Sequence, residues 1–395
     1  MKIVSAKTYV VGTPAPHHGG AFWVFVKLTT DSGVEGIGEV YAVPFHPSVV
    51  EKMIDDVFER YVVGTSPFDI EALWRRAYSA GFTQRPDVSM MAILSGIETA
   101  CWDIMGKETN QPVYNLLGGK VREKARTYTY IYPAPGEDNS VYSSIEISCK
   151  RAIEYVKRGH TALKFDPAGG YSAFDPRHLS LEMQEFSEKF VKTLRETVGP
   201  NIDLIFGTHG QMAPASAIQL ARRLEKFNPL WFEEPTPPDM PEEMARVASA
   251  TSIPIATGER LATKYEFARV LRLNAASIMQ MAIGRVGGIM ETKKIAAIAE
   301  THYAHIAPHL YAGPIEAAAN LHVDISTPNF LIQESIEEMG GFHGELLKKP
   351  LTWEDGHLVP STEPGLGVEL NEEVAAAHPY TGKRLHLEMT QHPIN

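Results

Sequence analysis

A chain of 395 residues with 44% hydrophobic and 22% charged side chains is too long for one small binding module and too rich in core-forming residues for wholesale disorder. Its formal charge of −11 disfavours nucleic acid and anionic membrane as general partners, so an anionic substrate must be held by local positive charge. Cys101 and Cys149 give no raw material for a disulfide framework or a Cys-rich zinc site, and no signal-type leader or long apolar run is read, so a cytoplasmic protein is expected.

The chain opens with strand patterns over residues 3–11, 22–30 and 34–40, the last two joined by the turn signal Asp31-Ser32-Gly33. Helical periodicity follows over 48–61, 69–78 and 88–107, where Met91, Leu94, Ile97, Ala100 and Ile104 recur at near-helical spacing. Strands followed by helices predict an α+β domain. From about residue 125 short apolar strands alternate with helices. The strand candidates are 161–165, 203–207, 230–234, 253–259, 277–281, 306–309 and 330–334, with helices such as 217–227, stopped by Asn228-Pro229. Repeated β-α units without an early G-x-G-x-x-G favour a closed parallel barrel over a doubly wound sheet. The expected domains are 1–124 (α+β cap), 125–350 (barrel) and 351–395 (a tail returning to the cap).

Barrel chemistry sits at the carboxyl ends of several strands, which directs attention to the polar residues there. They are Lys164 and Asp166, His209, Glu233 and Glu234, Glu259, Gln280, His309 and Glu334, with positions 207, 233 and 259 evenly spaced one β-α unit apart. Carboxylates converging at a barrel mouth repel unless a hard cation such as Mg²⁺ neutralises them. The plainer reading pairs these charges with neighbours such as Arg260 and Lys264. Lys164, after an apolar strand, reads either as a base whose pKa burial lowers or as a snorkelling lysine. His309 reads as a proton-transfer group or a hydrogen-bonded core histidine.

These residues resemble the enolase superfamily, mandelate racemase subgroup, with the galactonate and mannonate-type sugar-acid dehydratases nearest in appearance. The resemblance rests on Gly36-Ile37-Gly38-Glu39, Gly96-Ile97-Glu98, Trp102-Asp103-Ile104, Leu116-Leu117-Gly118-Gly119, Trp231-Phe232-Glu233-Glu234-Pro235, Gly258-Glu259-Arg260, Val286-Gly287-Gly288, Ala307-Pro308-His309 and Pro364-Gly365-Leu366-Gly367-Val368. It implies a modified (β/α)7β TIM-type barrel under an α+β capping domain, with Mg²⁺ (or Mn²⁺) held by three acidic strand ends to stabilise an ene-diolate. Carried over, Glu233 and Glu259 are metal ligands, and Lys164, His309 and Glu334 are catalytic. His209 is the acid that helps hydroxide leave. Three positions depart from the pattern. Gly207 stands at the first metal aspartate, so the metal set needs His209 or substrate oxygens to complete it. Ala282 replaces the aspartate that orients His309, and Asp166 replaces a second lysine.

The resemblance implies a small acid sugar as substrate, no nucleic-acid or membrane partner, and assembly as a homo-oligomer. A cover formed by His18, Trp23, Tyr41, Phe45, Phe82 and Arg85, with Asp166 and Arg260 in the barrel, is expected to contact the substrate or to be ordinary packing. The leading expectation is loss of water to a 2-keto-3-deoxy acid. Epimerisation or cycloisomerisation, a non-catalytic binder with a decayed metal site, and a Schiff-base aldolase built on Lys164 are the competing readings.

Overall fold

The computed structural model describes every residue except Ala42, Pro135 and Asn395, the last being the expected end of the tail. Strands β1 (Ile3–Gly12), β2 (Phe22–Thr30) and β3 (Glu35–Val40) form the antiparallel meander read from the sequence. Gly33, at φ 83°, closes the β2–β3 turn by donating to the Thr30 carbonyl. Helix α1 (Pro47–Val57) is shorter than the predicted 48–61 because the chain widens into a π-turn over Phe58–Val62. Helices α2 (Ile70–Tyr78) and α3 (Val88–Glu108) fall where periodicity puts them.

Asp87 caps α3 by accepting from the Met90 amide. The helix is long and apolar enough to cross a membrane, yet 89% of its most apolar window is buried inside the protein. It lies directly on β3, where a Cβ at Gly38 would stand 1.9 Å from the Gly96 carbonyl oxygen. The Gly36-Ile37-Gly38 stretch is therefore the contact that lets helix and strand touch.

The parallel strands are β4 (Ala125–Tyr130), β5 (Ala162–Phe165), β6 (Asp203–Gly207), β7 (Trp231–Glu233), β8 (Ile255–Thr257), β9 (Ile278–Met279), β10 (His305–Ile306) and β11 (Gln333–Ser335). They pair in chain order, β11 returns to β4, and a bridge from Ile306 to Phe330 joins β10 to the approach of β11, closing the ring. With a helix after each of β4 to β10, this is the modified (β/α)7β barrel under an α+β cap. Strand β4 was not among the strand candidates: Ala-Arg-Thr-Tyr-Thr-Tyr alternates faces and contains no aliphatic run.

One buried residue from or beside each strand fills the interior: Tyr128, Ala162, Ile205, Trp231, Ala256, Ile278, Ala307 and Ile332. Large and small side chains share this layer, so it is solid. Side chains alternate along a strand, so the residue two places on faces the same axis one layer higher. That next layer reads Tyr130, Lys164, Gly207, Glu233, Gly258, Gln280, His309 and Glu334.

In the tail, β12 (Thr352–Glu354) and β13 (His357–Val359) form a hairpin whose β13 pairs antiparallel with β4. Beyond it the chain crosses to the cap: Asp103 on α3 accepts from the amides of Ile37 and Leu366 at 3.0 and 2.9 Å, and Val11 bridges Pro379. A second buried acid ties cap to barrel. Glu98 on α3 accepts from the Trp102 indole (2.8 Å) and from the amides of Ile289 (2.7 Å) and Met290 (2.9 Å), which begin the barrel helix Ile289–Glu300. It thus caps that helix from another domain, where the helix dipole favours negative charge. A Cβ at Gly288 would lie 2.0 Å from this carboxylate, and one at Gly287 would lie 2.5 Å from Trp74 Nε1, which accounts for Gly287-Gly288. Glu98→Ala leaves three donors buried without an acceptor and is expected to cost roughly 3 kcal/mol or more. Urea unfolding monitored by tryptophan fluorescence checks this; an unchanged midpoint would remove Glu98 as the clamp.

Candidate active site

A cavity of about 410 Å³ sits on the polar layer, between the strand ends and the cap. Its floor and wall carry Lys164, Asp166, His209, Glu259, His309 and Glu334, while His18 and Tyr41 reach it from the cap. Glu233 lies just beneath, buried.

The geometry centres on Lys164. Its ammonium lies 2.7 Å from Glu233 Oε1 and 3.1 Å from Glu334 Oε1, all three side chains being buried. The second oxygen of Glu233 accepts from Trp231 Nε1 (3.0 Å) and Gln280 Nε2 (2.7 Å), and that of Glu334 accepts from the Leu310 amide (3.0 Å). Burial alone would lower the lysine pKa, but Glu233 and Glu334 outweigh it and hold it well above the ordinary value. The expectation of a lysine tuned down to a base is corrected on this point: the two anions Glu233 and Glu334 outweigh the effect of burial. It is a resident positive charge.

The expected ion ligands Glu233, Glu259 and His209 do not form a common set. Glu233 is engaged on both oxygens, by Lys164 on one and by Trp231 and Gln280 on the other. Glu259 Oε2 faces His309 Nε2 at 3.3 Å, and His209 Nδ1 faces Asp166 Oδ2 at 3.8 Å. Gly207 offers no ligand, and a Cβ there would stand 2.5 Å from Lys164 Cε, so the lysine fills the space an aspartate would need. No three His, Cys, Asp or Glu side chains among the described residues are placed to share an ion. A Mg²⁺ ion does not fit this donor set, since it would have to sit beside a buried ammonium.

The two histidines differ in support. His209, in left-handed backbone (φ 52°), stacks on Tyr171 with ring centres 4.4 Å apart. Burial works against its charged form, but Asp166 and Glu259 hold its pKa above the ordinary histidine value. His309 Nε2 lies 3.3 Å from Glu259 and 3.7 Å from Glu334, and its Nδ1 has no hydrogen-bond partner among the described residues, as Ala282 in place of an aspartate leads one to expect. Glu259, partly exposed to the cavity, is held well below the usual carboxylate range by His309, His209 and Lys164.

The expected substrate-contact residues divide. His18, stacked on Tyr132 at 4.3 Å, Tyr41, 5.5 Å from the His309 ring, and Asp166, which accepts from Gln211 Nε2 at 2.7 Å, all line the cavity. Trp23 does not: its indole donates to the Gly19 carbonyl and its ring packs on His343. Phe82 is fully exposed in a left-handed turn, Phe45 and Arg85 are exposed, and Arg260 is tied to Glu234 at 2.8 Å. Phe45, Phe82 and Arg85 stand apart because the cap reaches the cavity through the 16–18 and 41 segments, not through the loop after α2. Gln280 stands where the strand-end register puts it, two residues beyond Ile278, while the roles of Trp231 and of the tyrosines 130, 132, 142, 171 and 311 that line the outer cavity escape the sequence reading. The tyrosines carry no strand-end signal.

With this geometry in view, the chain can be placed by comparison. Residues 148–374 match the "Enolase C-terminal domain-like" family model, and residues 10–118 match the N-terminal domain of mandelate racemase / muconate lactonizing enzyme. The chain belongs to the mandelate racemase/muconate lactonizing enzyme family of the enolase superfamily. It is 36% identical over 382 residues to a D-galactonate dehydratase of Xanthomonas campestris pv. campestris (strain B100), covering 95% of this chain and 93% of that one. Among solved structures, a mandelate racemase/muconate lactonizing enzyme from Sulfitobacter sp. is 50% identical with TM-score 0.97 and full coverage of both chains. A mandelate racemase/muconate lactonizing enzyme-like protein from Roseovarius sp. TM1035 is 48% identical with TM-score 0.97, covering 100% of this chain and 99% of that one.

Lys164→Met removes the positive charge that lies between Glu233 and Glu334. Breaking such a buried set costs about 3–5 kcal/mol. The two carboxylates then face each other with raised pKa values, so their charged form destabilises the fold, and the deficit shrinks as pH falls and one of them protonates. Thermal unfolding of parent and variant between pH 5 and pH 8 measures this; a deficit that is absent, or that grows toward acid, would contradict the cluster.

Proposed function

We propose that this protein removes the proton α to the carboxylate of a polyhydroxylated acid and expels water from the adjacent carbon, giving a 2-keto-3-deoxy acid after tautomerisation. The observation that carries the reading is two histidines in different electrostatic settings on one cavity that also holds a buried ammonium. The 36% identical relative named a D-galactonate dehydratase supports it.

In this reading His309 Nε2 takes the α-proton, and the nearby Glu259 and Glu334 carboxylates stabilise the imidazolium that forms. The carbon–hydrogen electron pair moves onto the substrate carboxylate, whose growing charge faces Lys164. The pair then returns to form the carbon–carbon double bond while the β-hydroxyl departs with a proton from His209. Asp166 and Glu259 keep His209 protonated for that step. The outer tyrosines offer hydroxyls and ring faces to the rest of a polyhydroxylated chain. Magnesium, implied by resemblance, has no part in this sequence because the donor set does not fit it. Epimerisation needs only a protonated group opposite His309 to return the proton, a role open to Lys164, and the D-galactonate dehydratase relative is what favours water loss.

Incubation with a panel of acid sugars in D2O, read by mass spectrometry, is expected to give loss of one water. A product of the same mass as its substrate, apart from deuterium, would replace dehydration with epimerisation. His209→Asn is expected to lower water loss by about 10²–10⁴-fold while α-proton exchange continues. For pH, the acid must be protonated, so kcat/KM falls on the alkaline side as His209 loses its proton. Asp166→Asn withdraws a charge that raises the His209 pKa, so the alkaline limb is expected to move to lower pH; an unmoved limb would clear His209 of the acid role.

A further inference from the structure

We propose that the Lys164 ammonium occupies the seat the resemblance assigns to a divalent cation, and that this chain works without a metal ion; the catalytic half of the claim rests on reading the cavity as one that deprotonates a carbon acid. Three observations support it independently of that reading. First, Gly207 and Lys164 are sterically complementary: the lysine Cε passes 2.5 Å from where a Cβ at 207 would stand, so a ligand at 207 and the lysine in its present path exclude each other. Second, the acids assigned to the ion are engaged by protein groups. Glu233 is bound by Lys164 on one oxygen and by Trp231 and Gln280 on the other, and Glu259 faces His309. Third, a positive charge already stands between the acids: the Lys164 ammonium lies 2.7 Å from Glu233 and 3.1 Å from Glu334.

A tethered ammonium retains one property of the ion that catalysis needs. Two of its three N–H donors go to Glu233 and Glu334, and Lys164 lines the cavity, so one donor remains for an oxygen of the substrate carboxylate. It cannot be removed by chelation.

The test begins with ion binding, which needs no substrate. Protein dialysed against EDTA is analysed for metals by mass spectrometry and titrated with Mg²⁺ and Mn²⁺ by calorimetry; no stoichiometric ion and no binding are expected. G207D alone is expected to bind no Mn²⁺ because the lysine remains, whereas G207D combined with K164A opens the seat and supplies the third acid, so Mn²⁺ binding appears. A stoichiometric ion in the parent that is lost in E259Q would overturn the proposal, as would a folded double variant that binds Mn²⁺ no better than the parent. In the catalytic arm, turnover of an accepted acid sugar is expected to be the same in EDTA and in Mg²⁺, and K164Q is expected to lower kcat by about 10²–10³-fold in both. Turnover lost in EDTA and restored by Mg²⁺ would sink the claim. If no acid is turned over, the dehydratase reading fails while the ion-binding results still decide what fills the seat.

Discussion

The buried Lys164 ammonium, held between Glu233 and Glu334, constrains much of what surrounds it. Three charges removed from water are tolerable only if the carboxylate oxygens are answered by donors. Trp231, Gln280 and the Leu310 amide answer the remaining carboxylate oxygens. Gly207 is glycine because the aliphatic part of the lysine needs the space above it. The indole of Trp231 serves two layers at once, filling the barrel interior while its N–H steadies Glu233. Residues that look unrelated along the chain are thus fixed by one electrostatic demand.

The same cluster sets the division of labour between the histidines. Around the cavity, Asp166 and Glu259 hold the His209 pKa above the ordinary histidine value against burial and the Lys164 charge. His209 has Asp166 and Glu259 for support, whereas His309 has Glu259 and Glu334 but no partner on Nδ1. The absent aspartate at Ala282 therefore does not strip His309 of anionic neighbours; it removes the group that would have fixed the other ring nitrogen. Cap and barrel meet over this region because two acids on α3, Glu98 and Asp103, hold amides of the barrel, the tail and β3. That clamp brings Tyr41 and His18 to the cavity.

Much of the architecture was legible beforehand. The meander follows from alternation and a glycine turn, and the parallel barrel from repeated apolar strands and helices. The strand that escaped, Ala125–Tyr130, has a polar-looking sequence whose inward Tyr128 and outward Thr127 and Thr129 are buried only once the ring and its surroundings enclose them. The polar layer was legible too, because side chains on a strand alternate: a functional group two residues beyond an inward apolar residue points the same way. Trp23, Phe82 and Arg260 were misplaced as cavity residues, since aromatic or basic character says nothing about which loop of the cap reaches the barrel.

The sequence by itself determined the fold, the ring of strand-end groups and the absence of a ligand at Gly207, since these depend on local periodicity and residue type. Only the tertiary structure decided what the ring does with its charges. Whether a lysine at a strand end is a base, a surface group or a fixed cation depends on which side chains from other strands lie within about 3 Å of it, and distance between strands is set by barrel closure, not by position along the chain.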